Sequence, residues 1–118
     1  MENKILEHLP PIHHLLGGHI IQWDREKREI AVSYTALESF TNPRGSVEGG
    51  MSCAMLDDAM GIFAALNQTA KPASTINLSM DLFRPCEVGE VQATAWFVKA
   101  GKTLRRIESE AWQRINLV

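Results

Sequence analysis

With 118 residues and a hydrophobic content of 45%, the chain is long enough to form one packed core and too apolar to be intrinsically disordered. Its formal net charge of −2 excludes a general electrostatic attraction to nucleic acid, and no apolar run is long enough to span a membrane. Because the first residues also lack the apolar core of a signal peptide, we expect a single domain over residues 1–118, located in the cytoplasm.

The predicted elements begin with one or two helical turns, interrupted by Pro10-Pro11 and followed by the turn signal Gly17-Gly18. A mostly irregular stretch over residues 36–47 precedes the only long predicted helix, which runs from Gly50 to about Asn67. Short apolar stretches bounded by turn residues predict the strands. In chain order, the strands are expected over residues 19–24, 28–34, 74–83, 90–99 and 103–113.

Residues 74–83 carry the clearest strand pattern of the chain, because apolar side chains alternate with polar ones from Ile76 to Leu82. We therefore expect a strand with one face on the core and one more polar face. Several strands at hairpin-like spacing beside a single long helix predict an α+β domain, in which an antiparallel β-sheet wraps around the helix.

Two adjacent carboxylates, Asp57 and Asp58, interrupt the otherwise apolar helix. A helix that is apolar on all sides is normally buried, so each carboxylate must be paired, protonated or functional. At the helix start, Gly49 and Gly50 carry N–H groups that lack partners within the helix and can stabilise negative charge. Asp58 points about 100° away from Asp57. We therefore expect only one of the two carboxylates to reach a given pocket and the other to make a structural hydrogen bond or salt bridge.

The cysteines and histidines predict neither a disulfide nor a metal site. Cys53 and Cys86 lie far apart in a chain without a secretion signal, so we expect two free thiols. All the histidines fall near the N-terminus, and their spacing does not match a helical pair with a supporting carboxylate. These residues are His8, His13, His14 and His19.

The ordered motif Asn42-x-x-Gly45-x-x-x-Gly49-Gly50, followed by Leu56-Asp57, resembles the hotdog-fold thioesterases, and within them the phenylacetate-degradation (PaaI-like) type of acyl-CoA thioesterase. Phe83-Arg84-Pro85 and the hairpin residues Gly101-Lys102 extend the resemblance, which covers residues 12–113. It implies a hotdog fold, with an antiparallel sheet around one long central helix. It also implies an acyl-CoA substrate, no separate cofactor, and a homodimer or homotetramer.

The resemblance also implies a role for individual residues. Asp57 matches the catalytic base or nucleophile, which leaves the structural role to Asp58. The N–H of Gly49 matches the oxyanion-hole donor, contributed by the other subunit of a dimer. Asn42 matches a residue that places the water or the thioester, and Thr75 matches one that orients the water. The expected substrate-binding residues, including two cations suited to the CoA phosphates, are Glu48, Gly50, Arg84 and Lys102.

Two features of the chain depart from the family pattern. Glu48 stands where the family usually has His, and an ionised carboxylate there would repel a developing oxyanion. The resemblance implies hydrolysis of a small or medium-sized acyl-CoA, aliphatic or aromatic. Glu48 motivates the alternative of a non-catalytic acyl-CoA-binding or regulatory protein. The chain also ends soon after residue 113, which predicts a sheet without its last edge strand.

Overall fold

The computed structural model describes residues 2–67, 77–100, 105–114 and 116–118. Its elements are α1 (Glu2–Glu7), α2 (Pro11–Leu15), β1 (His19–Asp24), β2 (Glu29–Ala36), a 3-10 turn (Glu38–Phe40), α3 (Gly49–Leu66), β3 (Gly89–Ala100), β4 (Arg105–Gln113) and β5 (Asn116–Leu117). The predicted long helix is therefore confirmed to within one residue at each end, and so is the α+β class. In the described ranges, no helix combines the length and the apolar character that a membrane span requires.

The strands form one antiparallel sheet in the order β1-β2-β3-β4-β5. The strands β2 and β3 are neighbours in this sheet, although α3 lies between them in the sequence. Their pairing places Ala36 of β2 opposite Gly89 of β3. At one edge, β5 adds two residues, with Trp112 opposite Leu117. The edge strand that the sequence predicted to be missing is therefore present in a short form.

The core lies between this sheet and one side of α3. Alternate residues of β2, from Ile30 to Ala36, are buried against the helix. Alanines at the buried positions of β3 leave room for the large Phe63 ring of α3, which also contacts Phe97 at a ring-centroid distance of 4.7 Å. Burial of each large apolar side chain contributes roughly 1.5–3 kcal/mol. On the opposite side of α3, Gly50 and Gly61 are exposed in the single chain, whereas Asp57 is half-buried.

The predicted strand over residues 74–83 is wrong for the part that the structure describes. Residues 77–83 belong to no helix or strand, and residues 74–76 lie outside the described ranges. The apolar side chains are not on the core, since 38% of Leu78 and 56% of Leu82 remain exposed. A strand needs a neighbour to complete its backbone hydrogen bonds, and the five-stranded sheet does not include this segment. The alternating pattern therefore marks an unpaired apolar surface of the single chain.

Candidate active site

The loop before α3 is a tight turn built around Asn42. The backbone N–H of Asn42 donates to the carbonyl of Ser46 at 2.7 Å, and its side-chain Oδ1 accepts from the N–H of Arg44 at 2.9 Å. Gly45 has a φ of 84°, a left-handed conformation that glycine adopts at little cost. Asn42 therefore orders the loop that leads into the helix, and its predicted catalytic role stays a prediction.

The start of α3 presents two N–H groups toward a possible ligand. The carbonyl of Glu48 accepts hydrogen bonds from the N–H groups of Met51 and Ser52, at 2.9 and 3.2 Å. The N–H groups of Gly49 and Gly50 donate to no acceptor in the part of the chain that the structure describes. A Cβ atom added at Gly50 would meet nothing within 4 Å, so this end of the helix is open. Free donors at a helix N-terminus suit an anion or an oxyanion.

The side chain of Glu48 is exposed in the single chain and forms no capping hydrogen bond with the helix that it precedes. Water screens an exposed carboxylate far better than a buried one. The repulsion that the sequence predicts between Glu48 and an oxyanion is therefore reduced as long as this side chain stays in solvent.

Asp57 is half-buried on α3 and borders a cavity of about 400 Å³. One wall of this cavity is α3, and the other is the N-terminal segment, defined here as residues 2–16. Asp57, Asp58 and His8 are its charged or polar lining residues. Most of the remaining lining is aliphatic, with Ile5, Leu9, Pro10 and Ile12 from the N-terminal segment and Ile62 and Ala65 from α3. The cavity is therefore a mostly apolar space next to the Asp57 carboxylate.

The single chain does not bring the predicted catalytic residues together. Gly49 and Asp57 belong to the same helix, and at 1.5 Å per residue they are separated by about 12 Å along its axis. Reacting groups must approach to about 3–3.5 Å. One copy of α3 therefore cannot place both groups on one carbonyl. Arg84 is exposed at a bend, whereas Thr75 and Lys102 lie outside the described residues.

Asp58 takes part in a buried cluster that the sequence did not predict in full. Its Oδ2 atom accepts a hydrogen bond from the Tyr34 hydroxyl at 2.7 Å and lies 2.7 Å from Nδ1 of His13. The structural role predicted for Asp58 is confirmed, although Asp58 also borders the cavity. His13 and Tyr34 were missed as members of a polar site. In the described ranges, no group of three or more His, Cys, Asp or Glu side chains is arranged to hold a metal ion.

The only tyrosine of the chain is Tyr34, which makes its titration directly observable. Burial first, and then the charge of Asp58, raise the pKa of Tyr34 above its ordinary value of 10.0. The folded state therefore holds the phenol proton more tightly than the unfolded state. The stabilisation from this group is complete below pH 10 and decreases as the pH rises above it.

Above pH 10, we accordingly expect tyrosinate absorbance to appear only together with the loss of circular dichroism. The free energy of unfolding should fall with pH in this range, and the slope should be shallower in Tyr34→Phe by up to about 1.4 kcal/mol per pH unit. Tyrosinate formation in a protein that keeps its full circular dichroism would contradict the buried hydrogen bond.

Both cysteines are free, as predicted. Cys86 is buried next to the start of α3, and its carbonyl accepts a hydrogen bond from the N–H of Val47 at 2.8 Å. Burial raises the pKa of the Cys86 thiol, which disfavours the reactive thiolate. We therefore assign Cys86 to the packing of the helix start.

Known proteins similar to this chain identify its family. The family model described as the thioesterase superfamily matches residues 44–117. An uncharacterised acyl-CoA thioester hydrolase of Zymomonas mobilis is 35% identical over 89 residues, which make up 75% of this chain. The match covers 60% of that relative, so the chain spans less than two thirds of its length.

Solved structures show the same fold over nearly the whole chain. A phenylacetic acid degradation-related protein from Ralstonia eutropha JMP134 matches with a TM-score of 0.94 and 30% identity, over 99% of this chain and 92% of that one. The E. coli PaaI protein from the phenylacetic acid degradation operon matches with a TM-score of 0.84 and 24% identity, over 99% of this chain and 83% of that one. The hotdog fold expected from the sequence is thereby confirmed.

Proposed function

Because this chain belongs to the thioesterase superfamily, we propose that it is an acyl-CoA thioesterase acting on a small or medium-sized acyl group. One observation carries the proposal. At its start, the same helix has N–H groups that donate to no acceptor among the described residues. About two turns later it carries a half-buried carboxylate beside an aliphatic cavity. Thioester hydrolysis needs these three elements, namely an oxyanion donor, a base or nucleophile, and an acyl-binding space.

In the proposed reaction, the thioester carbonyl accepts a hydrogen bond from the N–H of Gly49. Asp57 removes a proton from a water molecule that adds to the carbonyl carbon, or adds to that carbon itself. Charge then collects on the carbonyl oxygen, where the helix start stabilises it. On the base route, cleavage of the carbon–sulfur bond releases the carboxylic acid, and Asp57 returns the proton to the sulfur, which leaves as the CoA thiol. On the nucleophile route, the same cleavage leaves a mixed anhydride between Asp57 and the acyl group, while the sulfur takes a proton from water. A second water molecule then hydrolyses the anhydride, which releases the carboxylic acid and restores the Asp57 carboxylate.

Two copies of the chain complete each site in this proposal. Gly49 and Asp57 are about 12 Å apart along one helix axis, so they must serve different substrates or come from different subunits. The exposed apolar segment 77–83 supports the second arrangement. Its Leu82 packs beside Gly49, with Cδ1 only 3.3 Å from the position of an added Cβ atom, and Phe83 is 66% exposed. Apolar surface next to the helix start suits a second copy.

The remaining predicted residues have supporting roles in the proposed site. Asn42 and Thr75 help to place and orient the attacking water, while Arg84 and Lys102 contact the CoA phosphates. The cavity of about 400 Å³ falls within the roughly 300–1,000 Å³ of small-molecule sites. Its aliphatic lining accepts an alkyl chain or a small aromatic ring.

A thiol-release assay tests the proposal with acetyl-, butyryl-, octanoyl-, benzoyl- and phenylacetyl-CoA. We expect at least one substrate to be hydrolysed with a kcat/KM of about 10⁴ M⁻¹s⁻¹ or more, the lower end of the usual range for enzymes. Because Cys53 and Cys86 are free, product formation should also be followed by chromatography. The absence of turnover with every member of the panel would contradict the proposal.

Glu48 motivates the alternative of a non-catalytic acyl-CoA-binding protein, because an ionised carboxylate next to the oxyanion donor opposes charge development. Calorimetric titration with the same CoA thioesters separates the two functions. Binding without turnover would favour the non-catalytic protein, whereas binding with turnover would favour the enzyme.

A further inference from the structure

The buried cluster of His13, Tyr34 and Asp58 joins three separate elements of the chain. His13 lies on α2, Tyr34 on β2 and Asp58 on α3, and both of the other side chains lie 2.7 Å from the same Asp58 oxygen. His13 and Tyr34 are fully buried, and the side chain of Asp58 is only 3% exposed. A carboxylate buried to this extent needs hydrogen-bond donors, so removing one donor is costly.

The docking of α2 depends on this cluster. With only five residues, α2 is far too short to be a stable helix by itself. His13 is its only fully buried residue, whereas its apolar side chains Ile12 and Leu15 are 43% and 61% exposed. After α2 ends, the buried Leu16 gives further support. Within α2 itself, however, the contact that holds the helix on α3 is mainly polar.

Gly18 fixes the position of the His13 ring. Its N–H donates to the His13 carbonyl at 2.9 Å, and a Cβ atom added at Gly18 would overlap the ring of His13. The absence of a side chain therefore lets the turn after α2 close directly over the ring. Nε2 of His13 is buried without a hydrogen-bond partner in the described part of the chain. The Asp58 contact at Nδ1 thus provides the polar stabilisation of this ring.

The segment held by this cluster is one wall of the cavity beside Asp57. Ile5, Leu9, Pro10 and Ile12 line the cavity from that side, while Asp58 itself borders it from α3. If α2 moved away from α3, the cavity would lose this wall and open to solvent. A short acyl group near Asp57 would still be bound, but a long one would lose apolar contacts.

We propose that His13, Tyr34 and Asp58 are positioning residues that hold the N-terminal segment against α3 and thereby set the preference of the enzyme for longer acyl chains. This inference rests on the proposed thioesterase function and on binding of the acyl group in the cavity beside Asp57. The cluster takes no part in bond making or breaking. Its effect reaches the substrate through the position of the aliphatic wall.

The test measures kcat and KM with acetyl-CoA and octanoyl-CoA for the wild type and for Tyr34→Phe, His13→Leu and His14→Leu. Tyr34→Phe removes one hydroxyl group and should raise the KM for octanoyl-CoA by up to about fivefold, the limit that one lost hydrogen bond sets on the docking equilibrium. His13→Leu should raise it about tenfold or more, because Asp58 then keeps a single donor. The kcat values and the KM for acetyl-CoA should change less than about twofold.

His14→Leu is the matched control, since it makes the same substitution at the exposed neighbouring histidine. The His14 ring does not line the cavity and meets the His13 ring only edge-on, at a centroid distance of 5.6 Å. It should leave the ratio of the two KM values unchanged. Should His13→Leu fail to fold, Tyr34→Phe still carries the test, because it keeps the ring and both other members of the cluster. His13→Asn, which can place a donor near the Nδ1 position, should restore part of the octanoyl-CoA preference.

Hydrogen exchange of residues 5–16 without substrate gives an independent measurement. It should be faster in Tyr34→Phe and His13→Leu than in the wild type and in His14→Leu. An unchanged KM ratio, an equal loss of kcat for both substrates, or unchanged exchange would each overturn the inference. If the wild type hydrolyses no CoA thioester, the proposed function fails, and the inference about chain-length preference fails with it. A wild type that is active while the variants show no chain-length effect would overturn only the inference.

Discussion

Asp57→Asn should lower kcat/KM for the best acyl-CoA substrate by about 10²–10⁴-fold, the usual contribution of a general base. The amide has nearly the shape of the carboxylate, but it can neither accept the proton of the attacking water nor form the acyl intermediate. Because Asp57 is only half-buried beside a cavity, the fold should be kept. The measurement is the steady-state rate of thiol release, together with a thermal unfolding curve.

Asp58→Asn is the control for Asp57→Asn. Asp58→Asn changes the same atoms one position later, but it affects the buried contacts with His13 and Tyr34. We expect Asp58→Asn to lower the unfolding temperature and to raise the KM for long acyl chains. Asp57→Asn should instead lower kcat. Near-normal hydrolysis by Asp57→Asn would contradict the catalytic assignment, even if Asp58→Asn were inactive.

Gly49→Pro should lower kcat by about 10²–10³-fold, the usual effect of losing one oxyanion-hole donor. Proline removes the N–H group, and the first position of a helix is where proline is best tolerated. Glu48 already has φ −56° and ψ 135°, a conformation that suits the residue before proline. We therefore expect Gly49→Pro to fold normally. Measuring kcat together with thermal unfolding distinguishes a loss of activity from a loss of the fold.

Gly49→Ala is the matched control, because it keeps the N–H group. Its added Cβ atom would lie 3.3 Å from Cδ1 of Leu82, a side-chain end that can shift. We expect Gly49→Ala to retain most of the activity. If Gly49→Ala and Gly49→Pro lost activity equally, the space at this position rather than the donor would be the cause.

Mixing the two inactive variants tests whether each site is shared between subunits. A mixed dimer of Asp57→Asn and Gly49→Pro has one site with both defects and one site with neither. An equal mixture should recover about a quarter of the wild-type activity, because half of the dimers are mixed and each has one intact site. Recovery would be absent if both groups came from the same chain.

The fold was largely predictable because its local patterns agree with the tertiary structure. The apolar stretch that became α3 and the β2 stretch with its alternating buried residues both lie against the common core, so their periodicity matched their burial. Residues 77–83 show where this reasoning stops. Alternation reports that one face is apolar, but it cannot tell whether that face meets the same chain or another molecule.

The catalytic residues were proposed from the resemblance to a known family, but the cluster around Asp58 required knowledge of the tertiary structure. The sequence did contain a buried hydrogen-bond acceptor and a buried donor that could pair. Asp58 lies in an apolar helix and needs a donor, whereas Tyr34 occupies an inward position of β2 and needs an acceptor for its hydroxyl. His13 could not be found in this way, since nothing in a short N-terminal helix distinguishes it from its neighbour His14.

The order of strands in the sheet has a consequence for how the chain reaches this structure. The pairs β1–β2 and β3–β4 each join strands that are consecutive in the sequence. The pairing of β2 with β3, in contrast, brings Ala36 opposite Gly89 and so spans the whole of α3 in the sequence. Closing the long loop between these two strands costs conformational entropy before the contacts between β2 and β3 can compensate for it. We therefore expect the two strand pairs to form early and the pairing of β2 with β3 to set the folding rate.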